Sequence, residues 1–279
     1  MPFFPVNMQE VKERGWEEID FVYVCGDAYV DHPSFGALII CRVLESRGYR
    51  VAFLAQPDWR SNDDFLRFGR PRLGFFVSSG NIDSMVAHYT AAKKRRHDDA
   101  YSPGGIGGKR PDRAGIVYCN KIREIYGDIP IVIGGLEASL RRFAHYDYWD
   151  DKVRRSILFD SQEDLLSFGV GERSMVEIAQ LLDGGVPVSE IRDVRGTCYS
   201  VDVRETPYIG AECPSFENVC SSKKEYAVSC RIQQDEQDHI RGKIIKQKHG
   251  KLMVVQNKPM PPLTTKELDW VYSLPYARA

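Results

Sequence analysis

Residues 20–49 read DFVYVCGDAYVDHPSFGALIICRVLESRGY. The first six residues form an almost unbroken apolar run, the pattern of a strand buried on both faces. From Ala37 the period changes. Ala37, Ile40, Cys41 and Leu44 fall at i, i+3, i+4 and i+7, and Gly48 stands where a helix stops. A buried strand running into an amphipathic helix is the first half of a strand–helix–strand unit. VAFLA (51–55), LGFFV (73–77), IPIVIGG (129–135) and the weaker DLLSFG (164–169) repeat the strand signal. Met175, Ile178, Ala179 and Leu182 repeat the helical one, closed by Asp183-Gly184-Gly185. The alternation predicts an α/β protein built on an open, doubly wound, mainly parallel sheet with right-handed crossovers.

The 279 residues suffice for one large or two ordinary domains, with 43% apolar and 28% charged side chains. A net charge of −1 points to neither nucleic acid nor membrane. No apolar run approaches the roughly 18 residues that span a bilayer. The first residues lack the apolar core of a signal peptide, so the sequence reads as cytoplasmic with no membrane partner. Seven cysteines are widely spaced, without C-x-x-C or C-x-x-x-C-x-x-C. That spacing suits neither a disulfide framework nor a metal site.

Composition shifts near residue 204. The expected organisation is an α/β domain over 1–203 and an extension over 204–279. In the extension, 221–243 reads as a polar surface helix, and 242–257 as a β-hairpin turning at His249-Gly250. A short final helix follows, N-capped by Thr264 or Thr265 with Glu267 nearby. This C-terminal helix and hairpin are too small to fold alone and should pack on the α/β body or on a further module. Two segments interrupt the rhythm of the first domain: 88–114, with a basic run and four glycines at 104, 105, 107 and 108, and 137–155, dense in arginine and aromatics. Loops as long as the first are usually functional or disordered.

Open α/β sheets bind ligands beyond the carboxyl ends of their strands. The turn after the first strand is therefore the leading candidate. Asp27, Asp31 and His32 there suit a metal, a ligand hydroxyl or proton exchange. Ser34 is placed to cap the helix, and Gly36 to let a ligand approach the backbone. In the plainer alternative Asp31 and Ser34 are caps and His32 is only hydrogen-bonded. Ser79 and Asn81 follow the third strand. Gly134 and Gly135 end the next, with Glu137 one turn on, beside Arg141 and Arg142 as a candidate ion-pair set. Gly171 and Glu172 follow the last, where an acidic residue also suits a helix N-terminus. Four such loops on one edge would form a polar crevice. G-x-G-x-x-G and the Walker pattern are absent. Lys93–Arg96 offers a weak nucleic-acid or phosphate contact. Without interleaved aromatics, a solvated loop is the simpler reading.

GDAYVDHPSFG, AQPDW, SSGNIDSMVAHYTAAKKRRHDDAYSPGG, GKRPDRA, IVIGGLEASLRRFAHYDYWDDKVRRSIL, FGVGER, EIRDVRGT and LPYARA together resemble the amino-terminal part of YgiQ-type radical-SAM proteins, an uncharacterised family. The resemblance runs from about residue 8 to 279. It implies that a radical-SAM barrel, in the same chain or a separate one, is the partner. That barrel would carry a C-x-x-x-C-x-x-C motif holding a [4Fe–4S] cluster, with S-adenosylmethionine at the open iron. None of the seven cysteines matches that motif, so no cluster ligand and no metal site is assigned in this chain. The chain alone is expected to perform no radical chemistry. The α/β region also resembles the flavodoxin-like, cobalamin-binding-type domain that precedes many such barrels. Base-off cobalamin binding in related folds uses D-x-H-x-x-G. Here Asp31 and His32 are adjacent and Gly36 lies four residues on, so His32 is not carried over as a cobalt ligand. The implied role is an accessory domain that shapes the barrel's active site or binds its substrate, whose identity the resemblance leaves open. The alternatives are a stand-alone metal-dependent hydrolase using Asp27, Asp31, His32 and His97-Asp98-Asp99, or an RNA- or partner-binding module acting through 88–114.

Overall fold

The computed structural model describes residues 3–278. Its strands are β1 (Phe21–Cys25), β2 (Val51–Ala55), β3 (Gly74–Ser78), β4 (Ile131–Gly134), β5 (His145–Asp147), β6 (Lys152–Arg154), β7 (Leu165–Ser167), β8 (Thr197–Asp202), β9 (Ala211–Cys213), β10 (Ile245–His249) and β11 (Leu252–Gln256). Nine of them form one sheet in the order β2-β1-β3-β4-β7-β8-β11-β10-β9, and β5 pairs with β6. The first five strands in that order are parallel. Their order, 2-1-3-4-5 when counted among themselves, is the flavodoxin-like winding, with its switch point between β1 and β3. The α/β expectation is met, including the mainly parallel core.

The apolar runs are continuous because both faces of each strand are covered. Val22 and Val24 face a cluster that includes Tyr118, Cys119 and Ile122 of the helix Ala114–Tyr126. Phe21, Tyr23 and Cys25 face the other side. There they pack with Ala37, Leu38, Cys41 and Leu44 of the helix Gly36–Glu45 and with Met175, Ile178 and Ala179 of the helix Glu172–Asp183.

The hairpin β10–β11 turns where the sequence indicated, but it does more than pack on the body. β11 pairs antiparallel with β8, and β8 with β7, so the sheet runs unbroken across position 203. β8 and β9 were not read from the sequence; both lie beyond the strand–helix rhythm. The last helix, Thr265–Ser273, starts with a complete Thr264–Glu267 capping box. Val271, Leu274 and Tyr276 carry it onto Val43 of the Gly36–Glu45 helix.

Glu163, at the amino edge of β7, is buried and its Oε1 has no hydrogen-bond partner. Burial pushes its carboxyl up to about 8. The folded chain therefore keeps a proton that the unfolded chain loses near its ordinary value of 4.5. Stability should fall as pH rises between those values. Glu163→Gln keeps an acceptor for Ser161, which now bonds the carboxylate. The variant should gain over wild type by up to about 1.4 kcal/mol per pH unit in that window, reaching roughly 2–4 kcal/mol at pH 8. Urea midpoints at several pH values check this; a pH-independent difference would refute it.

Candidate functional site

The register of the parallel strands sets the site. Cys25 is opposite Ala55 and Ser78, and Ser78 is opposite Gly134. The loops after β1, β3, β4 and β7 therefore leave the sheet along one edge. They enclose a cavity of about 460 Å³ at the switch point. Tyr23, Phe76, Val132, Ile40 and Met175 supply its apolar lining. Ser78, Asn81, Ser167, Gly80, Gly134, Gly135, Gly169 and Gly171 add polar or bare-backbone surface. Glu172 is the single charged side chain in the lining, and its Oε2 has no hydrogen-bond partner.

Gly36, Asn81, Gly134, Gly135, Gly171 and Glu172 line the cavity. Asn81 joins its walls: Nδ2 donates to the Ser34 carbonyl at 3.2 Å, and Oδ1 accepts from Gly36 N at 3.3 Å. Gly36 opens its helix without a left-handed φ, and a Cβ there would meet nothing within 4 Å. Its bareness leaves the mouth open rather than relieving strain.

The remaining candidates turn away from the lining. Asp27 is buried and accepts from Asn81 N at 2.7 Å. Arg110 Nη1 lies 3.1 Å from Asp27 Oδ1, but the hydrogen bond of that nitrogen goes to the Ser79 carbonyl at 2.9 Å. Burial raises the Asp27 carboxyl to about 6, against the pull of Asn81 N–H and Arg110. Arg110 also forks onto Asp99 at 2.9 and 3.0 Å. Asp31 pairs with Arg42 in the interior and accepts from Ala277 N at 3.1 Å, which fastens the end of the described chain to the first loop. Ser34 is not the helix cap: Phe35 holds that position without a side-chain bond, and Ser34 Oγ instead lies 2.7 Å from His32 Nδ1. Ser79 donates to the Ile82 carbonyl at 3.2 Å. Glu137 is buried and ties two helix starts together, accepting from Ser84 N at 2.9 Å and Gly115 N at 3.1 Å. It does not pair with Arg141, whose salt-bridge partner is Asp83.

These placements decide what the residues can hold. Among the described residues, no three His, Cys, Asp or Glu side chains are arranged to bind a metal ion. The hydrolase set does not form one cluster: Asp27 and Asp99 share Arg110, Asp31 pairs with Arg42, and His32 bonds Ser34. Burial raises the thiols of Cys25 and Cys198 to about 12, that of Cys213 to about 11, and those of Cys41 and Cys119 well above the usual range. Only Cys220 and Cys230 are exposed. Protonated, scattered thiols do not fit an iron–sulfur cluster. His32 does not line the cavity, so it does not fit an axial ligand for cobalamin there either. Among the described residues, its lining shows no nucleophile hydrogen-bonded to a base. Sequence reasoning missed Tyr23, Ser78, Gly80 and Ser167. Tyr23 lies within a run that reads as buried, Ser167 within the weaker run 164–169, and Ser78 and Gly80 just past the run 73–77; only the register shows which of them reach the cavity.

The family model described as "Radical SAM N-terminal" matches residues 3–279. A "UPF0313 protein" of Clostridium botulinum (strain Loch Maree / Type A3) is 58% identical over 280 residues, covering 100% of this chain and 43% of that protein. One of Clostridium perfringens (strain SM101 / Type A) is 56% identical over 277 residues, covering 99% and 42%. The chain thus spans less than half the length of these curated relatives. Among solved structures, the radical S-adenosylmethionine methyltransferase TsrM of Kitasatospora setae, with tryptophan substrate and a SAM analog bound, is similar at a TM-score of 0.43 and 16% identity. That match covers 64% of this chain and 28% of TsrM.

Proposed function

The chain belongs to the radical SAM N-terminal family, and on that premise we propose that it is the accessory module of a longer iron–sulfur enzyme. The [4Fe–4S] cluster and S-adenosylmethionine belong to a separate radical-SAM module. This chain presents the carboxyl edge of its sheet to that module, shapes the reaction site and receives an uncharged part of the substrate. The observation that carries the reading is the switch-point cavity: roomy, mostly apolar, with a single carboxylate and no catalytic pair. Exposed Leu136, Leu140 and Val170 sit in or just after the loops that bound it, as expected of a surface that another module covers.

The test is peptide-resolved maleimide labelling of the full-length protein. Leu140→Cys should react at least about tenfold more slowly than Ile209→Cys, because Leu140 lies on the covered edge while Ile209, 78% exposed here, lies far along the chain from it. Equal rates at the two positions would remove the reading.

A further inference from the structure

Four arginines drawn into the fold are paired with acids: Arg42 with Asp31 and Glu45, Arg110 with Asp27 and Asp99, Arg113 with Asp147, and Arg141 with Asp83. Arg142 departs from that pattern. It is partly buried, and the acceptors that hold it are neutral. Nε donates to Gln256 Oε1 at 2.6 Å, and Nη1 donates to the Ser139 carbonyl. The guanidinium lies 5.5 Å from the centre of the Phe143 ring and 5.2 Å from that of Phe168. Among the described residues no carboxylate pairs with it; the titratable groups that act on it are the thiols of Cys198 and Cys213. Burial pulls down the pKa of any arginine. In Arg42, Arg113 and Arg141 the neighbouring acids outweigh burial, and the values rise. In Arg142 burial prevails, and the value falls below the ordinary one.

The uncompensated cation is also held still. Gln256 is fully buried, and Ser156 Oγ donates to the Arg142 carbonyl at 2.7 Å. Nη2 bonds nothing among the described residues and, unlike Gln256 Nε2, keeps exposed surface. Gln256 is opposite Cys198, and Cys198 is opposite Leu166, which puts the guanidinium at the carboxyl edge of β7. Ser167 lines the switch-point cavity, whereas Phe143 and Phe168 belong to the cluster on the other face of the sheet. Arg142 therefore stands beside the cavity without belonging to it. The helix that precedes it, Gly135–Leu140, exposes Leu136 and Leu140.

We infer that Arg142 is the docking cation of this edge and pairs with an Asp or Glu side chain of the radical-SAM module that covers Leu136 and Leu140. The inference rests on the reading of the chain as an accessory module. The curated relatives are more than twice as long as the region they share with this chain, which leaves length for such a module. A fixed guanidinium held only by neutral groups and aromatic rings calls for an anion. The exposed leucines beside it call for a protein surface rather than a free ion. An acid that meets Nη2 there is desolvated together with it, so the pair exists only in the docked arrangement.

The test uses the full-length protein and the maleimide rate at Leu140→Cys, with Ile209→Cys as the reference. Adding Arg142→Gln should raise the Leu140→Cys rate about tenfold or more and leave the Ile209→Cys rate unchanged. Loss of a nearby positive charge would by itself slow a thiol, so the expected change runs against the local effect. In Arg142→Lys, a carbodiimide should join the introduced amine to an Asp or Glu outside residues 1–279, identified by mass spectrometry. Fast labelling of Leu140→Cys with Arg142 intact removes the accessory reading and this inference with it. Slow labelling that Arg142→Gln does not change overturns the inference alone, as does an amide formed only within residues 1–279 or none at all. An equal rise at Ile209→Cys would mean general unfolding and would also overturn it.

Discussion

Gly80→Ala is expected to lower the thermal midpoint by about 10 °C or more and to cost roughly 4 kcal/mol. Gly80 has φ +108, and a Cβ built there would lie 2.0 Å from Asp27 Oδ1. Two penalties act together. The backbone is in a region that L side chains rarely adopt. The neighbouring atom is a buried carboxylate held by Asn81 N and Arg110, not the free end of a flexible chain. Gly26 meets the same interface from the other side, its Cβ falling 2.1 Å from the Ser79 carbonyl. The loops after β1 and β3 touch backbone to backbone, and this contact sets the inner wall of the switch-point cavity. Thermal unfolding of Gly80→Ala beside Gly36→Ala is the measurement. Gly36→Ala should be neutral or slightly stabilising, because nothing obstructs a Cβ at that helix start. Similar midpoints for the two variants would show that the loops have slack.

Arg110→Met should destabilise by about 3–5 kcal/mol at neutral pH. Its guanidinium is buried between Asp27 and Asp99, and its third contact is the Ser79 carbonyl. Removing it leaves two interior carboxylates without a cation. Asp27 should then hold its proton to higher pH than in wild type, where burial already lifts it to about 6. In the variant, the folded chain binds protons that the unfolded chain has released above about 4. The deficit relative to wild type should therefore grow as pH rises from about 4 and shrink as it falls. Urea midpoints of wild type and variant between pH 4.5 and 8 decide it; a constant deficit would mean that the arginine acts by packing alone. The same substitution should loosen residues 99–110, since Arg110 and Asp99 tie that segment to the strand ends. The long excursion from the sheet is ordered because it brings its own cation to a buried acid.

Local pattern alone predicted a great deal. Apolar runs of five to seven residues without polar alternation, set between helical periods, suit strands covered on both faces, and βα alternation and a mainly parallel sheet were read from them. Strand ends rich in glycine and small polar residues marked the edge where the cavity lies. The Thr264–Glu267 capping box was legible because both partners lie within one helical turn. Roles that depended on distant partners were not legible. Asp27, Asp31 and Glu137 have the residue types of a ligand site, and each is buried instead. A desolvated carboxylate must find a cation or N–H donors. Those partners come from Arg110, from Ala277 N and from Ser84 N and Gly115 N, up to 246 positions away. The extension of the sheet through β8 to the C-terminal hairpin is likewise a pairing between distant segments. Hydrophobic periodicity acts over a few residues and is written in the sequence. Which acid meets which base, and which backbone amide is left to a ligand, is decided only when the folded chain closes over them.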